Sequence, residues 1–229
     1  YRDMPEPFVR ALRRLGARRE VFARGEERWA HVRRRVERDG AFALTNYSVP
    51  AVGSPVFGVE GYRATARECV AQGCVPDHVL VPTARGDLLW GLYSGLRDMH
   101  LQGLIPRLPR LWAVGPFPRL ARVLEGAEAQ ASFEGRTSQF SVAGNTVTLQ
   151  QLLAVQASGG GAVPVSDPQA DEGVTRLAKQ GLWVELCAGA TVGALSALIA
   201  RGQIRPDEHA LLMLTARGDR DPFDPASLS

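Results

Sequence analysis

Thr83-Ala-Arg-Gly-Asp87 and Thr215-Ala-Arg-Gly-Asp219 are the same five residues at two places in one chain of 229. Each copy follows a short apolar run, His78-Val-Leu-Val-Pro82 before the first and Ala210-Leu-Leu-Met-Leu214 before the second. Apolar runs of this length, bounded by turn-forming residues, read as buried strands. In an open α/β sheet, ligands sit beyond the carboxyl ends of the strands. Two identical loops at two strand ends therefore point to a site.

Outward from these loops, helix and strand patterns alternate. Strands are expected at Arg18–Phe22, Ala41–Leu44, His78–Pro82, Leu111–Val114, Ala162–Val165, Leu182–Glu185 and Ala210–Leu214. Helical spacing is expected over Pro5–Leu15, Glu26–Arg38, Gly58–Gln72, Asp87–Met99, Leu120–Glu125, Leu149–Ala157, Pro168–Gln180 and Ala190–Arg201. Tyr47–Phe57, rich in Pro, Gly and Ser, reads as a linker or crossover. The stretch after Glu125 reads as irregular as far as Thr146, and the tail from Asp221 as disordered. Repeated βα units predict an α/β fold with a mostly parallel sheet between two layers of helices.

A composition with 45% hydrophobic and 22% charged residues describes an ordinary globular chain. No apolar stretch is long enough to span a membrane, and no secretory signal opens the chain. Eleven arginines from Arg10 to Arg38 crowd the first forty residues, but Glu20, Glu26, Glu27, Glu37 and Asp39 are interleaved with them. That mixture, with few aromatics to stack on bases, reads as solvated helix faces, not a nucleic-acid surface. Cys69, Cys74 and Cys187 lack the histidine support of a zinc site and fit a reducing, cytoplasmic setting, with no metal expected. The Arg-Gly-Asp of both loops also matches an integrin-binding tripeptide, a match that three residues make by chance.

Further stretches extend the pattern. Ala11-Leu-Arg-Arg-Leu-Gly-Ala17 ends a helix on Gly-Ala, and Val59-Glu-Gly-Tyr62 turns into a helix. Val75–Pro82 runs into the first loop, and Leu88–Gly95 follows it as a helix. Ser158-Gly-Gly160, Val165-Ser-Asp167, Val184-Glu185 and Ala188-Gly-Ala-Thr191 come next, and Leu214-Thr215, Gly218 and Asp221-Pro222 close the series. In order and spacing these segments resemble the pyridoxal-phosphate enzymes of the tryptophan-synthase-β type (fold type II), the threonine synthases most of all.

The resemblance implies a three-layer tryptophan synthase β-like fold preceded by part of a small domain. Residues 1–47 would be the end of that small domain, 48–222 the large cofactor-binding domain and 223–229 a tail. It implies an amino-acid lyase or synthase that turns O-phosphohomoserine into threonine and phosphate. The expected ligands are pyridoxal phosphate and a small amino-acid substrate, and the expected assembly is a homodimer. The family's Schiff-base lysine lies upstream of the matching segments. Because the chain opens on Tyr1, an upstream part carrying that lysine is expected, and no catalytic residue is assigned here. Lys179, the one lysine present, sits late in a helix and reads as a surface residue.

The implied cofactor residues are Thr83, Ala84, Arg85, Gly86 and Asp87 at the phosphate and Thr215 at the pyridine nitrogen. Backbone N–H groups at a helix start favour an anion, and Arg85 offers a guanidinium fork. Asp87 reads either as a ligand-side residue or as the N-cap of the following helix. Thr215 reads either as a neutral partner of the ring nitrogen or as a plain strand end. Arg217 pairs with Asp87, pairs with Asp219 or meets the substrate. Cys187 reads as a buried, inert thiol. Two competing expectations remain: a homologue that keeps the fold and serves as a binding or regulatory protein, and a doubly wound domain for another anion.

Overall fold

The computed structural model describes residues 4, 6–23, 25–131, 133 and 135–221. Pro5, expected in the first helical turn, and the tail after Asp221 fall outside these residues. Helices α1 (Glu6–Arg14), α2 (Gly25–Asp39), α3 (Val56–Glu60) and α4 (Arg63–Ala71) precede strand β1 (His78–Pro82). Then come α5 (Asp87–Leu101), β2 (Arg110–Gly115), α6 (Arg119–Leu124), α7 (Leu149–Ala157), β3 (Gly161–Pro164), α8 (Asp167–Ala178), α9 (Leu186–Ala200) and β4 (Ala210–Leu212).

The strands form one parallel sheet in the order β3-β2-β1-β4. Strand alternation sends Val79, Val81, Leu111 and Ala113 to one face, where α4, α5, α6 and α7 cover them. Leu80, Trp112, Val114 and Val163 point the other way, against α8 and α9. Every residue of β1 is buried, as expected for a strand covered on both faces. Each of its fully buried aliphatic side chains contributes about 1.5–3 kcal/mol through burial. On the amino-terminal side, the Trp112 Nε1–H donates to His78 Nδ1 at 3.0 Å and Glu208 lies 3.2 Å from His78 Nε2. Burial, only partly offset by Glu208, holds that imidazole below its ordinary range.

Three expected strands are absent among the described residues. Arg18–Phe22 and Ala41–Leu44 form no strand and have no ladder partners among the described residues, and an isolated segment cannot satisfy its backbone as a strand. Leu182–Glu185 contributes a single antiparallel bridge, Val184 to Arg217. Its last residue, Glu185, is the N-cap of α9, which therefore starts at Leu186 instead of Ala190. The helix expected over Gly58–Gln72 is broken in two at Gly61-Tyr62. Both pieces press on a glycine stripe of α5. A Cβ on Gly95 would come within 2.9 Å of the Ala66 Cβ, and one on Gly91 within 2.9 Å of the Val59 carbonyl oxygen.

The chain runs from β1 outward to β2 and β3, then returns to add β4 on the other side of β1. That is a topological switch point, the place where open α/β sheets bind ligands. The register sets His78 opposite Ala210 and Leu80 opposite Leu212, and carried forward it brings Thr83 level with Thr215. The two identical loops thus leave neighbouring strands, about 4.8 Å apart, at the same height.

Candidate cofactor site

The first loop is held by its carbonyls. Arg119, only 3% exposed, donates through Nη2 to the carbonyls of Thr83 at 2.5 Å and Ala84 at 2.6 Å, and through Nη1 to Gly144 at 2.5 Å. Gln151 Nε2 donates to the Ala84 carbonyl as well. The Thr148 hydroxyl donates to the Arg85 carbonyl at 2.7 Å. Thr148 and Gln151 form the capping box of α7, so one motif both starts that helix and clamps the loop. Thr83 is buried, with its N–H extending the ladder to the Val114 carbonyl at 2.7 Å and its hydroxyl donating to the Val81 carbonyl at 2.6 Å.

A planar trans peptide points its N–H away from its own carbonyl. With the carbonyls of Thr83, Ala84 and Arg85 turned to Arg119, Gln151 and Thr148, the N–H groups of Ala84, Arg85 and Gly86 face the opposite side. They join the first-turn N–H groups of α5, whose ladder begins with Trp90 N to Gly86 O at 2.7 Å. Consecutive N–H groups facing one way at a helix start form an anion cradle. Gly86 makes the turn possible: its φ is +88°, and a Cβ there would run into Gln151.

Asp87 is not the cap expected of it. Gly86 takes that position and Asp87 is the first helical residue. Its Oδ2 instead accepts the Ser54 hydroxyl at 2.8 Å. Ser54 follows a crossover organised by buried Asn46, whose Oδ1 accepts from Ser48, Val52 and Gly53. The Arg85 guanidinium stacks 5.6 Å over the ring of Trp29 in α2.

The second loop has different partners. The Thr215 hydroxyl donates to Glu185 Oε1 at 2.8 Å, and Ser141 donates to Oε2 at 3.4 Å. Arg217 pairs with Asp219 at 3.2 Å, both exposed, which is one of the three arrangements expected for it. Gly218 is buried against Trp183. Behind Glu185, Asp221 accepts the Leu186 N–H at 2.7 Å. Burial raises the Asp221 carboxyl above its ordinary value, the Leu186 N–H opposes that, and Glu185 adds to it. Burial and then Glu185 push the Cys187 thiol up to about 12, so it is neutral and inert.

Lys179 is exposed at the end of α8, as expected. The N-terminal arginines pair with neighbouring acids at the surface, as in Arg13–Glu6 and Arg35–Asp39. Among the described residues no group of three His, Cys, Asp or Glu is placed to hold a metal, and no helix is long and apolar enough to cross a membrane. A cavity of about 10 Å³ behind the first loop, lined by Thr83, Gly115, Phe117 and Arg119, has room for one water. Sequence reasoning missed Arg119, Thr148, Gln151 and Glu185. The Thr148-x-x-Gln151 capping box was readable. Arg119 is separated from the loop by a whole βα unit and carries no local signal.

A cradle of N–H groups thus stands on one side of the switch point and a hydroxyl–carboxylate pair on the other. The chain belongs to the pyridoxal-phosphate dependent enzyme family, whose model matches residues 2–216. It is 27% identical over 175 residues to the threonine synthase of Methanocaldococcus jannaschii, covering 72% of this chain and 43% of that protein. To the threonine synthase of Methanosarcina acetivorans it is 28% identical over 157 residues, covering 65% and 38%. The chain thus spans about two-fifths of the curated relatives it matches. In fold it is similar to the serine racemase of Dictyostelium discoideum, with a TM-score of 0.68 at 16% identity, covering 96% of this chain and 67% of that one. The processed threonine deaminase isoform 2 of Solanum lycopersicum matches with the same score and identity over 99% and 59%.

The residues present fit the family's cofactor at both ends. The carbonyl-clamped loop offers N–H groups to a phosphate, and Thr215 offers a hydroxyl oxygen one strand away.

Proposed function

We propose that this chain is the cofactor-binding portion of a pyridoxal-phosphate-dependent amino-acid lyase or synthase of the threonine-synthase kind, acting on O-phosphohomoserine. The observation that carries the reading is the clamping of three successive loop carbonyls by Arg119, Gln151 and Thr148. Ala84, Arg85, Gly86 and Asp87 then hold the phosphate through main-chain N–H groups, with Thr83 anchoring the loop and Thr215 meeting the ring nitrogen. When bound, pyridoxal phosphate supplies an electron-poor ring that stabilises negative charge left on a substrate carbon when a bond to it breaks. This chain's residues orient that ring and hold its two polar ends; Arg217, at the exposed rim, meets the substrate's anionic group. The Schiff-base lysine comes from a part of the protein beyond these 229 residues.

In the same reading, residues 1–47 belong to a small domain and 48–222 to the large one. Both apolar cores draw on residues from Ala66 to Met213, which supports that division. A homodimeric, cytoplasmic enzyme fits the family and the free thiols of Cys69, Cys74 and Cys187.

The test uses pyridoxine 5'-phosphate, which needs no lysine, and its unphosphorylated parent. With Trp29 under Arg85 as the fluorescent reporter, the phosphorylated ligand should bind at least tenfold more tightly, about 1.4 kcal/mol. Equal affinities would overturn the cradle. In the full-length protein, addition of pyridoxal phosphate should give an absorbance band that borohydride bleaches.

One feature favours a second reading. Both loops carry charges, Arg85 and Asp87 in one and Arg217 and Asp219 in the other. A non-catalytic binding or regulatory homologue would tolerate such charges, and for it the borohydride-sensitive band should be missing.

A further inference from the structure

We propose that Cys69 and Cys74 are a redox pair that closes reversibly to a disulfide across the carboxyl end of α4. The pair lies apart from the two loops, at the turn that leads into the amino-terminal end of β1, and it is independent of the cofactor reading.

Helix α4 ends at Ala71 in a Schellman turn. Gly73 is left-handed, with φ +78°. Its N–H donates to the Val70 carbonyl at 2.9 Å, and the Cys74 N–H reaches back to the Cys69 carbonyl at 2.9 Å. In such a turn the side chains of the two residues joined by the longer hydrogen bond meet over the helix end, commonly as an apolar contact. Here both of those positions carry thiols.

Both thiols are free and half-buried. Burial first, then Cys74 and Glu68, raise the Cys69 thiol above its ordinary value, and Cys74 contributes to that rise only because it is near. Cys69 therefore holds its proton at neutral pH, and the resting pair is reduced. Cys187, by contrast, is 1% exposed within α9 and out of reach of a dissolved oxidant.

Closure needs an oxidant, and hydrogen peroxide is of the right class. One sulfur attacks a peroxide oxygen, the O–O bond breaks, and the sulfur becomes a sulfenic acid as water leaves. The second thiol attacks that sulfur, the S–O bond breaks, and a second water leaves. In sum, two thiols and one peroxide give one disulfide and two waters, with two electrons passing from sulfur to oxygen. Two small-molecule thiols reverse the step by exchange. The bridge joins the end of α4, whose Ala66 packs on Gly95 of α5, to the segment entering β1. It breaks no hydrogen bond of the turn, and it restricts the unfolded chain more than the folded one.

The test is a peptide map of the native protein after mild hydrogen peroxide. Trypsin cuts after Arg67 and Arg85, so both cysteines fall in one peptide, Glu68–Arg85. That peptide should be lighter than its reduced form by two hydrogens, about 2 Da, and dithiothreitol should restore it. Cys187 should remain a free thiol. In Cys69→Ser and Cys74→Ser the surviving thiol should instead hold a sulfenic acid that a 1,3-diketone captures. The wild type should melt about 4 °C or more higher once oxidised and return on reduction, a rise that neither variant shows. Two free thiols, separate sulfinic acids or disulfides between two chains in the oxidised wild type would overturn the proposal, and that result needs no variant to fold. A bridged protein that melts no higher than the reduced one would overturn it as well, because the turn would then not be shaped for the bond.

Discussion

The same five residues leave two neighbouring strands at the same height and meet opposite surroundings. After β1 the loop faces donors: Arg119, Gln151 and Thr148 take its carbonyls, and α5 continues its N–H row. After β4 it faces acceptors: Glu185 takes the Thr215 proton, with Asp221 behind, and a single 3-10 turn over Gly218–Arg220 follows. Identical local sequence therefore does not set the chemistry of a loop. What the next elements bring alongside does. The outcome here is one loop that turns its N–H groups outward and one whose threonine hydroxyl is bonded to a carboxylate.

Removing Arg119 should break this contrast most severely. Arg119→Met keeps much of the apolar stem and deletes donors to three carbonyls, that of Thr83 buried and those of Ala84 and Gly144 half-buried. Hydrogen bonds to charged groups contribute about 1.5–3 kcal/mol each, with incomplete additivity. A loss of about 3 kcal/mol or more in urea unfolding is expected, together with at least a tenfold fall in pyridoxine 5'-phosphate affinity at temperatures where the variant stays folded. Retention of that affinity would show that the loop holds its shape without the clamp.

The two glycines compare the loops directly. Gly86→Ala meets both a left-handed backbone and Gln151, so a cost of about 2 kcal/mol is expected, along with weakened phosphate binding. Gly218 also leaves no space for a Cβ, but its φ is not in the left-handed region and the crowding group, Trp183, is 54% exposed and can turn outward. Gly218→Ala should therefore cost about 1 kcal/mol or less. Equal costs by thermal unfolding would mean that crowding, and not backbone conformation, governs both positions.

Much of the frame is legible in the sequence. The strand His78–Pro82 and the helix Leu149–Ala157 have the bounds their patterns predict, because buried runs and capped helices are local signals. Arg18–Phe22 and Ala41–Leu44 show the limit. Their residues suit strands, yet a strand exists only with a partner, and partners are not local. The site divides in the same way. Thr83–Asp87 and Thr215 announce themselves by repetition and by resemblance. The groups that give them opposite characters come from α6, α7 and the start of α9, and only packing brings them near. Asp87 is not a cap for a related reason: the left-handed Gly86 already occupies that position, and Ser54 from the crossover claims the carboxylate.

The two aspartates offer a milder comparison. Asp87→Asn keeps the shape but weakens the bond from the Ser54 hydroxyl, so a loss of about 1 kcal/mol is expected. Asp219 is paired with Arg217 in solvent, side chains 50% and 80% exposed, and Asp219→Asn should change stability by about 0–0.5 kcal/mol. If Asp219→Asn proved the costlier of the two, the exposed rim of the second loop would be structural.

The smallest expected effect is one of pH, and it belongs to the second loop alone. Asp221 has its folded carboxyl raised above the unfolded value by burial, opposed by the Leu186 N–H and reinforced by Glu185. Between the two values the folded protein binds more protons than the unfolded chain, so stability from this group grows as pH falls. The gain is complete below the unfolded value, about 3.9, and is lost as pH rises through the folded one. Asp167 opposes this trend. Burial works against its ionisation, but hydrogen bonds from Thr137, Ser138 and Gln139 outweigh that and hold its carboxyl below the usual value, so its stabilisation is lost as pH falls through the depressed value. Comparing wild type with Asp221→Asn cancels Asp167 and every other group common to both. The urea midpoint of the wild type should gain on that of the variant as pH is lowered from neutrality toward 4, about the unfolded Asp value. Parallel profiles would mean that neither burial nor Glu185 raises the Asp221 carboxyl in the folded protein.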